Sequence, residues 1–571
     1  MKILLLDFYV DEPACFGVPP YLSPYIRYVA GALAVAGLST DDIEYLTVDA
    51  WRAQNYEFSE DYQAVFVIMG TTVPGKYLGG KIGTVAELYR LLEYLKKVNR
   101  SCLTVIGGPV RYASRKIKEE IASRNGILIR GDIEKYAELF VPLGAKKARL
   151  AWEEQNLNLK RTYTDVDRYS LAGAFITSRH PNYPYLILEI ETYRGCTRDV
   201  YCSFCTEAFY GRPSFRSLDG IHAEIAELYQ LGNLYYRFGR QADLLTYLPF
   251  MDDFQNSFPR PNPKNVEKLY IGTRKVAPNI KLLHLDNINP GLIATFPREA
   301  EEIIRLITEY NTAGDTAAMG IESVDPEVIA KNDLKCSLEE ARLAIEIVNR
   351  HGQKRSDGIP HLLPGLNFIG GLPGETKDTF KKNYEFLHSL LQEGLLLRRI
   401  NIRQVVLYEK TKASRLANSH KSKTLENRFF YYRDKIRKEV DEPMLKLTFP
   451  TGSILKNVIL EQKNNGYYLG RPLGSYPITV KIPFIGKEYK LFKEPIDIII
   501  TGHSERSLKG LPNPIPINLL TDLGFREIPG FGKNLASITM LGGPYTNEEE
   551  FSKKCPEGFG TLNKFTQELV Y

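Results

Sequence analysis

Cys196-Thr-Arg-Asp-Val-Tyr-Cys202-Ser-Phe-Cys205 gathers three of the chain's seven cysteines within ten residues. The run before it, Tyr185-Leu-Ile-Leu-Glu-Ile-Glu191, reads as a buried strand. The cysteines therefore sit on the loop leaving that strand. Thiolates grouped on a loop are soft metal ligands at metal-ligand spacing. Three of them are one short of a closed tetrahedral site, and an open coordination position is what a catalytic metal centre needs.

Working outward, strand and helix patterns alternate from Tyr185 to Leu407. Beyond the cysteine loop, strands are predicted at Leu234–Phe238, Lys281–Leu285, Ala317–Glu322, Gly365–Ile369 and Asn401–Val406. Helices are predicted at Ile221–Leu231, Glu299–Glu309, Leu338–His351 and Asp378–Glu393. Six successive strand–helix units form a partial (β/α)6 barrel with functional loops at the strand ends.

The first part of the chain has the same alternation. Ile3–Leu6, Ile43–Val48, Ala64–Met69, Leu103–Ile106 and Ile127–Ile129 read as strands, and Tyr25–Ala36 and Val85–Lys97 as helices. This predicts a doubly wound parallel sheet with ligand loops at Gly70–Gly75 and Gly107-Gly108-Pro109. A polar connection follows, with Ala172–Thr177 as a candidate strand. Near the other end, Lys456–Glu461, Tyr467–Gly470, Ile478–Ile482, Tyr489–Phe492 and Ile496–Ile500 read as the short strands of a small β-barrel. Two short helices flank Ile528-Pro-Gly-Phe-Gly-Lys533. The expected domains are residues 1–155, 156–445, 446–510 and 511–571.

A chain of 571 residues is too long for one core. No apolar run approaches the roughly 18 residues of a membrane span, so no membrane partner is expected. Met-Lys-Ile-Leu-Leu-Leu-Asp reads as a buried strand and not a signal peptide. An odd number of cysteines, three of them clustered, argues against a disulfide scaffold and for the cytoplasm. From Lys410 to Lys438 ten Lys or Arg stand against two acids, with Phe429-Phe-Tyr-Tyr432 among them. Such a stretch either grips phosphates and stacks on bases or is a solvated helix face with its aromatics in the core.

Several metal sites compete for the cysteine loop. Zinc would need a fourth ligand, with His180 and His222 the nearest histidines, and an ordinary electron-transfer cluster would want four protein ligands. The reading that uses three thiolates is a [4Fe-4S] cluster whose fourth iron is left for S-adenosylmethionine (SAM). One-electron reduction of the bound sulfonium then yields an adenosyl radical, chemistry that belongs to the cofactor pair. Here the sequence resembles the radical SAM superfamily. The resemblance rests on Cys196, Cys202 and Cys205, on Phe204 before the third cysteine, on Gly320-Ile-Glu322-Ser323 and on Gly370-Gly371-Leu-Pro-Gly-Glu-Thr376. It implies that Glu322 and Ser323 meet the ribose and that backbone groups of Gly370 and Gly371 meet the cofactor. Two features depart from the pattern. Five residues, not the usual three, separate the first two cysteines. In place of the usual Gly-Gly-Glu-like motif the second strand ends Phe238-Gly-Arg-Gln241-Ala-Asp243, where Gln241 or Asp243 would hold the methionine amino group. The third ends His284-Leu-Asp286-Asn287, with Asp286 or Asn287 facing cofactor or substrate.

The flanks carry their own resemblances. The first domain resembles the cobalamin-binding domain that precedes many radical SAM barrels. However, no histidine precedes His180. Either cobalamin binds without a protein histidine or only the fold is kept. Gly470-Arg-Pro-Leu-Gly-Ser-Tyr-Pro-Ile-Thr-Val-Lys481 resembles a TRAM-like RNA-binding barrel. Ile528-Pro-Gly530-Phe-Gly532-Lys533-Asn-Leu-Ala536 resembles a helix-hairpin-helix, whose turn aims backbone amides at a nucleic-acid phosphate. The whole resembles archaeal-type radical SAM proteins with a C-terminal helix-hairpin-helix. It implies a radical SAM enzyme that draws on a one-electron reductant and modifies RNA, in particular tRNA. The alternatives are an enzyme acting on a small molecule or lipid, and a nucleic-acid-binding protein with a structural or redox-sensing cluster. Methylthiolation is disfavoured, because Cys15 and Cys102 alone cannot hold a second cluster in the first domain.

Overall fold

A computed structural model describes all residues except 13–14, 59, 71–77, 156–157 and 417–422. The Gly70–Gly75 loop, after its first residue, lies outside the described residues. The chain forms two compact units, one of residues 1–289, 295–303 and 406–417, the other of residues 290–294, 304–405 and 418–571.

The first unit opens with a five-stranded parallel sheet. Its order is Ile43–Thr47, Ile3–Asp7, Ala64–Ile68, Leu103–Gly107, Ile127–Leu128. This is the flavodoxin-like 2-1-3-4-5 order, whose switch point lies between the first and third strands. Ile3–Asp7 and Ala64–Ile68 are buried at every position, as central strands covered on both faces must be. Helix Val85–Val98 shows how the sequence codes its own boundary. Thr84 and Glu87 form a capping box, and Leu88, Leu91, Leu92 and Leu95 make one buried stripe.

A second sheet in this unit runs Leu282–Leu285, Tyr235–Gly239, Ile187–Glu191, Tyr21–Leu22. Its last member comes from the start of the chain, with Tyr21 and Leu22 in parallel register with Ile187 and Leu188. The candidate strand Ala172–Thr177 is instead part of a 3-10 helix, Ala174–Arg179. Gly173 ends the preceding helix there, and the Thr177 hydroxyl donates to the Ala174 carbonyl, closing a local turn.

In the second unit Asp315–Glu322, Leu362–Gly370 and Arg399–Gln404 pair in parallel. The last is shifted toward the N-terminus of the predicted Asn401–Val406. A closed barrel follows, made of Ile454–Asn464, Tyr467–Pro472, Thr479–Pro483, Ser507–Pro512 and Ile496–Ser504. Tyr489–Phe492, predicted as a strand, is not one. Its amides make isolated bonds, Tyr489 to the Tyr468 hydroxyl and Phe492 to the Leu460 carbonyl. Ser507–Pro512 takes its place in the barrel. Helices Asp522–Arg526 and Lys533–Gly542 flank the Ile528–Gly532 turn.

Candidate active site

The cysteine loop is closed at its base by a two-residue ladder, Tyr193–Arg194 against Ser214–Phe215. Gly195 makes the turn out of the strand at φ 94, where a side chain would be strained. Its amide donates to Glu207 at 3.3 Å, and Cys205 donates its own to the Cys202 carbonyl at 3.1 Å. Cys196, Cys202 and Cys205 are not joined in disulfides. Burial pushes the Cys205 thiol up, and Cys202, Glu207 and Cys196 add to the rise. Cys205 thus feels both of the other thiols. Phe204 is half-buried beside them.

Beneath the loop lies a mesh of buried arginines that no sequence motif announced. Glu224 lies between Arg27 and Arg216, all three at 0% exposure. Arg237 bridges Glu189 and Asp286, also fully buried. Arg240 reaches Glu207 at 2.9 Å and the Tyr25 hydroxyl at 2.9 Å. Arg161 pairs with Glu134 at 2.5 Å and with Glu191 at 2.7 Å. Burial pushes the Glu224 carboxyl up, but Arg27 and Arg216 together outweigh it and hold it below the ordinary range. Two cations on the one Glu224 carboxylate explain why its charge survives away from water.

The second-strand residues make local bonds beside this framework. Gln241 donates to the Phe238 carbonyl at 3.0 Å and accepts from Thr192 at 3.4 Å. Asp243 caps the turn Leu244–Thr246 by accepting from the Leu245 amide at 3.0 Å. Asp286 takes the Arg237 guanidinium and the Asn287 amide, the latter at 3.1 Å.

In the second unit the strand Asp315–Glu322 slips register against its neighbour between Gly320 and Glu322. Glu322 takes φ 67 at that bulge and is 6% exposed, with Oε2 unpartnered. Burial pushes its carboxyl up to about 7 against the pull of Lys335. Ser323 is buried and shares the Asn383 amide group with the Val324 backbone. Gly370 faces the Phe429 ring, where a side chain would collide, so the first aromatic of the basic stretch is turned into the core. Phe430 and Tyr431 stay exposed. Gly371, at φ 91, donates its amide to both Glu375 oxygens at 2.8 Å. At the C-terminal turn Gly530 takes φ 91, and Gly530, Gly532 and Lys533 are all exposed.

Each histidine that zinc would need makes a local bond. His180 accepts from the Asn182 amide at 3.0 Å, and burial lowers it to about 3. His222 meets the Leu269 carbonyl at 3.1 Å. Among the described residues no three His, Cys, Asp or Glu converge on a single metal ion. A four-iron cluster spreads its thiolates over different irons and needs no such convergence.

The sequence profile of the radical SAM superfamily matches residues 190–387, which begin at the end of the strand before the cysteine loop and run past the Gly370–Thr376 turn. The chain belongs to the radical SAM superfamily. It is 38% identical over 517 residues to an uncharacterized protein of Methanocaldococcus jannaschii, covering 89% of this chain and 93% of that one. With an uncharacterized protein of Archaeoglobus fulgidus the figures are 37% over 526 residues, 91% and 92%. Among solved structures it is similar to the radical SAM methyltransferase TsrM of Kitasatospora setae, solved with cobalamin and a [4Fe-4S] cluster. That match has a TM-score of 0.46 at 15% identity, over 72% of this chain and 77% of the other. The cobalamin-dependent SAM radical enzyme OxsB gives 0.46 at 11%, over 76% and 56%.

The chain is a radical SAM enzyme, and the cofactors of its family are a [4Fe-4S] cluster and SAM. Its residues fit both. The loop offers three thiols, and the unpartnered buried Glu322 oxygen is a ready acceptor for a hydroxyl. Cobalamin finds no histidine for cobalt anywhere in the first sheet. No described helix is long and apolar enough to cross a membrane.

Proposed function

We propose that this enzyme modifies RNA, with tRNA as the substrate class, by hydrogen abstraction from an unreactive carbon or addition to a base. Cys196, Cys202 and Cys205 hold the cluster, and Glu322 and Ser323 serve the SAM ribose. When bound, the cluster and SAM supply the adenosyl radical. The chain's own part is to hold the thiolates on a braced loop and to present hydrogen-bond acceptors at the strand ends. The reducing electron comes from a one-electron donor in the cytoplasm.

The observation that carries the RNA reading is the C-terminal turn. Gly532 precedes the ten-residue helix Lys533–Gly542 with exposed backbone and nothing within 4 Å of the place a Cβ would occupy. A phosphate can approach the helix N-terminus there, with Lys533 beside it. The closed barrel immediately before it supports the TRAM-like reading.

The test compares RNA nucleosides by mass spectrometry from cells carrying the wild-type protein or Cys202→Ala. A modified nucleoside should disappear in the variant, and RNA affinity should fall steeply with salt. Unchanged nucleosides, with 5′-deoxyadenosine still formed by the purified wild type, would point to a small-molecule substrate instead. No 5′-deoxyadenosine from reconstituted wild type would leave a structural or redox-sensing cluster.

A further inference from the structure

The two residues by which the loop exceeds the usual spacing belong to a braced insert whose first two residues are buried. Thr197 is 4% exposed and donates its hydroxyl to Thr246 at 3.1 Å. Arg198 is 7% exposed, and its Nη1 donates to Cys202 Sγ at 3.3 Å. Its guanidinium lies over the Phe258 ring, 5.2 Å from the centroid. The next amide, of Asp199, donates to the Ser257 carbonyl at 3.3 Å. That bond ties the insert to the hairpin of Phe250–Gln255 and Phe258–Arg260.

We propose that Arg198 is a positioning residue that raises the reduction potential of the cluster, by fixing a positive charge and an N–H donor against the Cys202 sulfur. The proposal rests on the assignment of the three cysteines as cluster ligands. Reduction adds one electron from a low-potential one-electron carrier and makes the cluster one charge more negative. A guanidinium does not lose its proton, so its charge is present in both redox states. It therefore favours the reduced state over the oxidised one, and does so strongly because Cys202 and Arg198 are both buried. Hydrogen bonds to cluster sulfurs and local charge are among the levers that set such potentials. A three-residue spacer has less chain with which to seat this side chain between Cys202 and Phe258. The longer spacing is thus accounted for by placement of a charge.

The test is anaerobic reconstitution of full-length wild type, Arg198→Lys, Arg198→Gln and Phe258→Ala. Iron and sulfide analysis is followed by a redox titration monitored by electron paramagnetic resonance. Arg198→Gln should shift the one-electron equilibrium toward the oxidised cluster at least tenfold, a fall of about 59 mV. Arg198→Lys, which keeps the charge, should stay within threefold of wild type. Equal potentials in wild type and Arg198→Gln, with full clusters in both, overturn the role of Arg198 alone. A wild type that takes up no cluster overturns the cysteine assignment as well. Where Arg198→Gln does not retain its cluster, Phe258→Ala decides. It keeps the charge but removes the ring holding it, and should lower the equilibrium threefold or more, whereas no change overturns the proposal.

Discussion

Two buried carboxylates, Glu224 in the first unit and Glu322 in the second, meet opposite electrostatic fates. Glu224 is fully buried yet held ionised, because Arg27 and Arg216 both reach it. Glu322 is almost as buried, feels only Lys335, and is raised to about 7. Burial costs both of them, and the number of cations in contact decides the outcome. Glu224 is therefore a charged, structural member of the mesh under the cysteine loop. The fourth-strand end keeps a carboxyl with an unpartnered oxygen, as suits a group that meets a ligand.

The largest expected effect comes from breaking the saturated side. Glu224→Gln leaves two buried guanidinium groups facing a neutral amide. The loss is on the order of 3–5 kcal/mol, the usual result of removing one partner from a buried ionic cluster. Chemical denaturation of the cofactor-free protein would measure it. A loss below about 1 kcal/mol would mean that Arg27 and Arg216 are satisfied without the carboxylate.

The unsaturated side has a pH signature. The Glu322 carboxyl is raised from its ordinary 4.5 to about 7. Between those values the folded protein holds a proton that the unfolded chain has released. The stabilisation is full below about pH 4.5 and is lost as pH rises through 7, roughly 3 kcal/mol in all. In Glu322→Gln that fall should vanish. The measurement is the thermal midpoint of the cofactor-free protein against pH for both proteins, and parallel curves would refute the assignment. Glu224, already ionised in both states near neutrality, contributes no slope there.

These two sites were not equally legible. The Gly320–Ser323 motif could be read because a strand end compresses its chemistry into four neighbouring residues. The cysteine loop was readable for the same reason. The arginine mesh was not, because Arg27 and Glu224 are 197 residues apart and each looks like an ordinary surface charge in its own helix. Alternation of apolar runs was enough for the parallel strands, whose pattern follows from burial on both faces. It failed at Ala172–Thr177, where a hydroxyl-to-backbone bond favours a tight turn, and at Tyr489–Phe492, where an apolar segment packs without a ladder. The pairing of Tyr21–Leu22 with the cysteine-bearing strand was also out of reach, since two residues carry no period.

The smallest effect sharpens the comparison at a third carboxylate. Glu375 has no arginine within its bonds. It is instead held by the Gly371 amide, both oxygens at 2.8 Å. Burial raises it to about 7, with the Gly371 and Leu372 amides opposing the rise. An amide dipole therefore does less than the paired guanidinium groups at Glu224. With its folded value raised to about 7, ionisation of Glu375 lowers the stability of the native protein as pH rises through 7, and Glu375→Gln does not suffer that loss. Relative to wild type, Glu375→Gln should therefore gain about 1 kcal/mol between pH 6, where the native side chain is mostly protonated, and pH 8. Stability of the cofactor-free protein at the two pH values gives the difference directly. An equal difference at both would show that folding leaves the Glu375 carboxyl unshifted. The contrast between arginine-saturated and amide-held carboxylates would then rest on Glu322 alone.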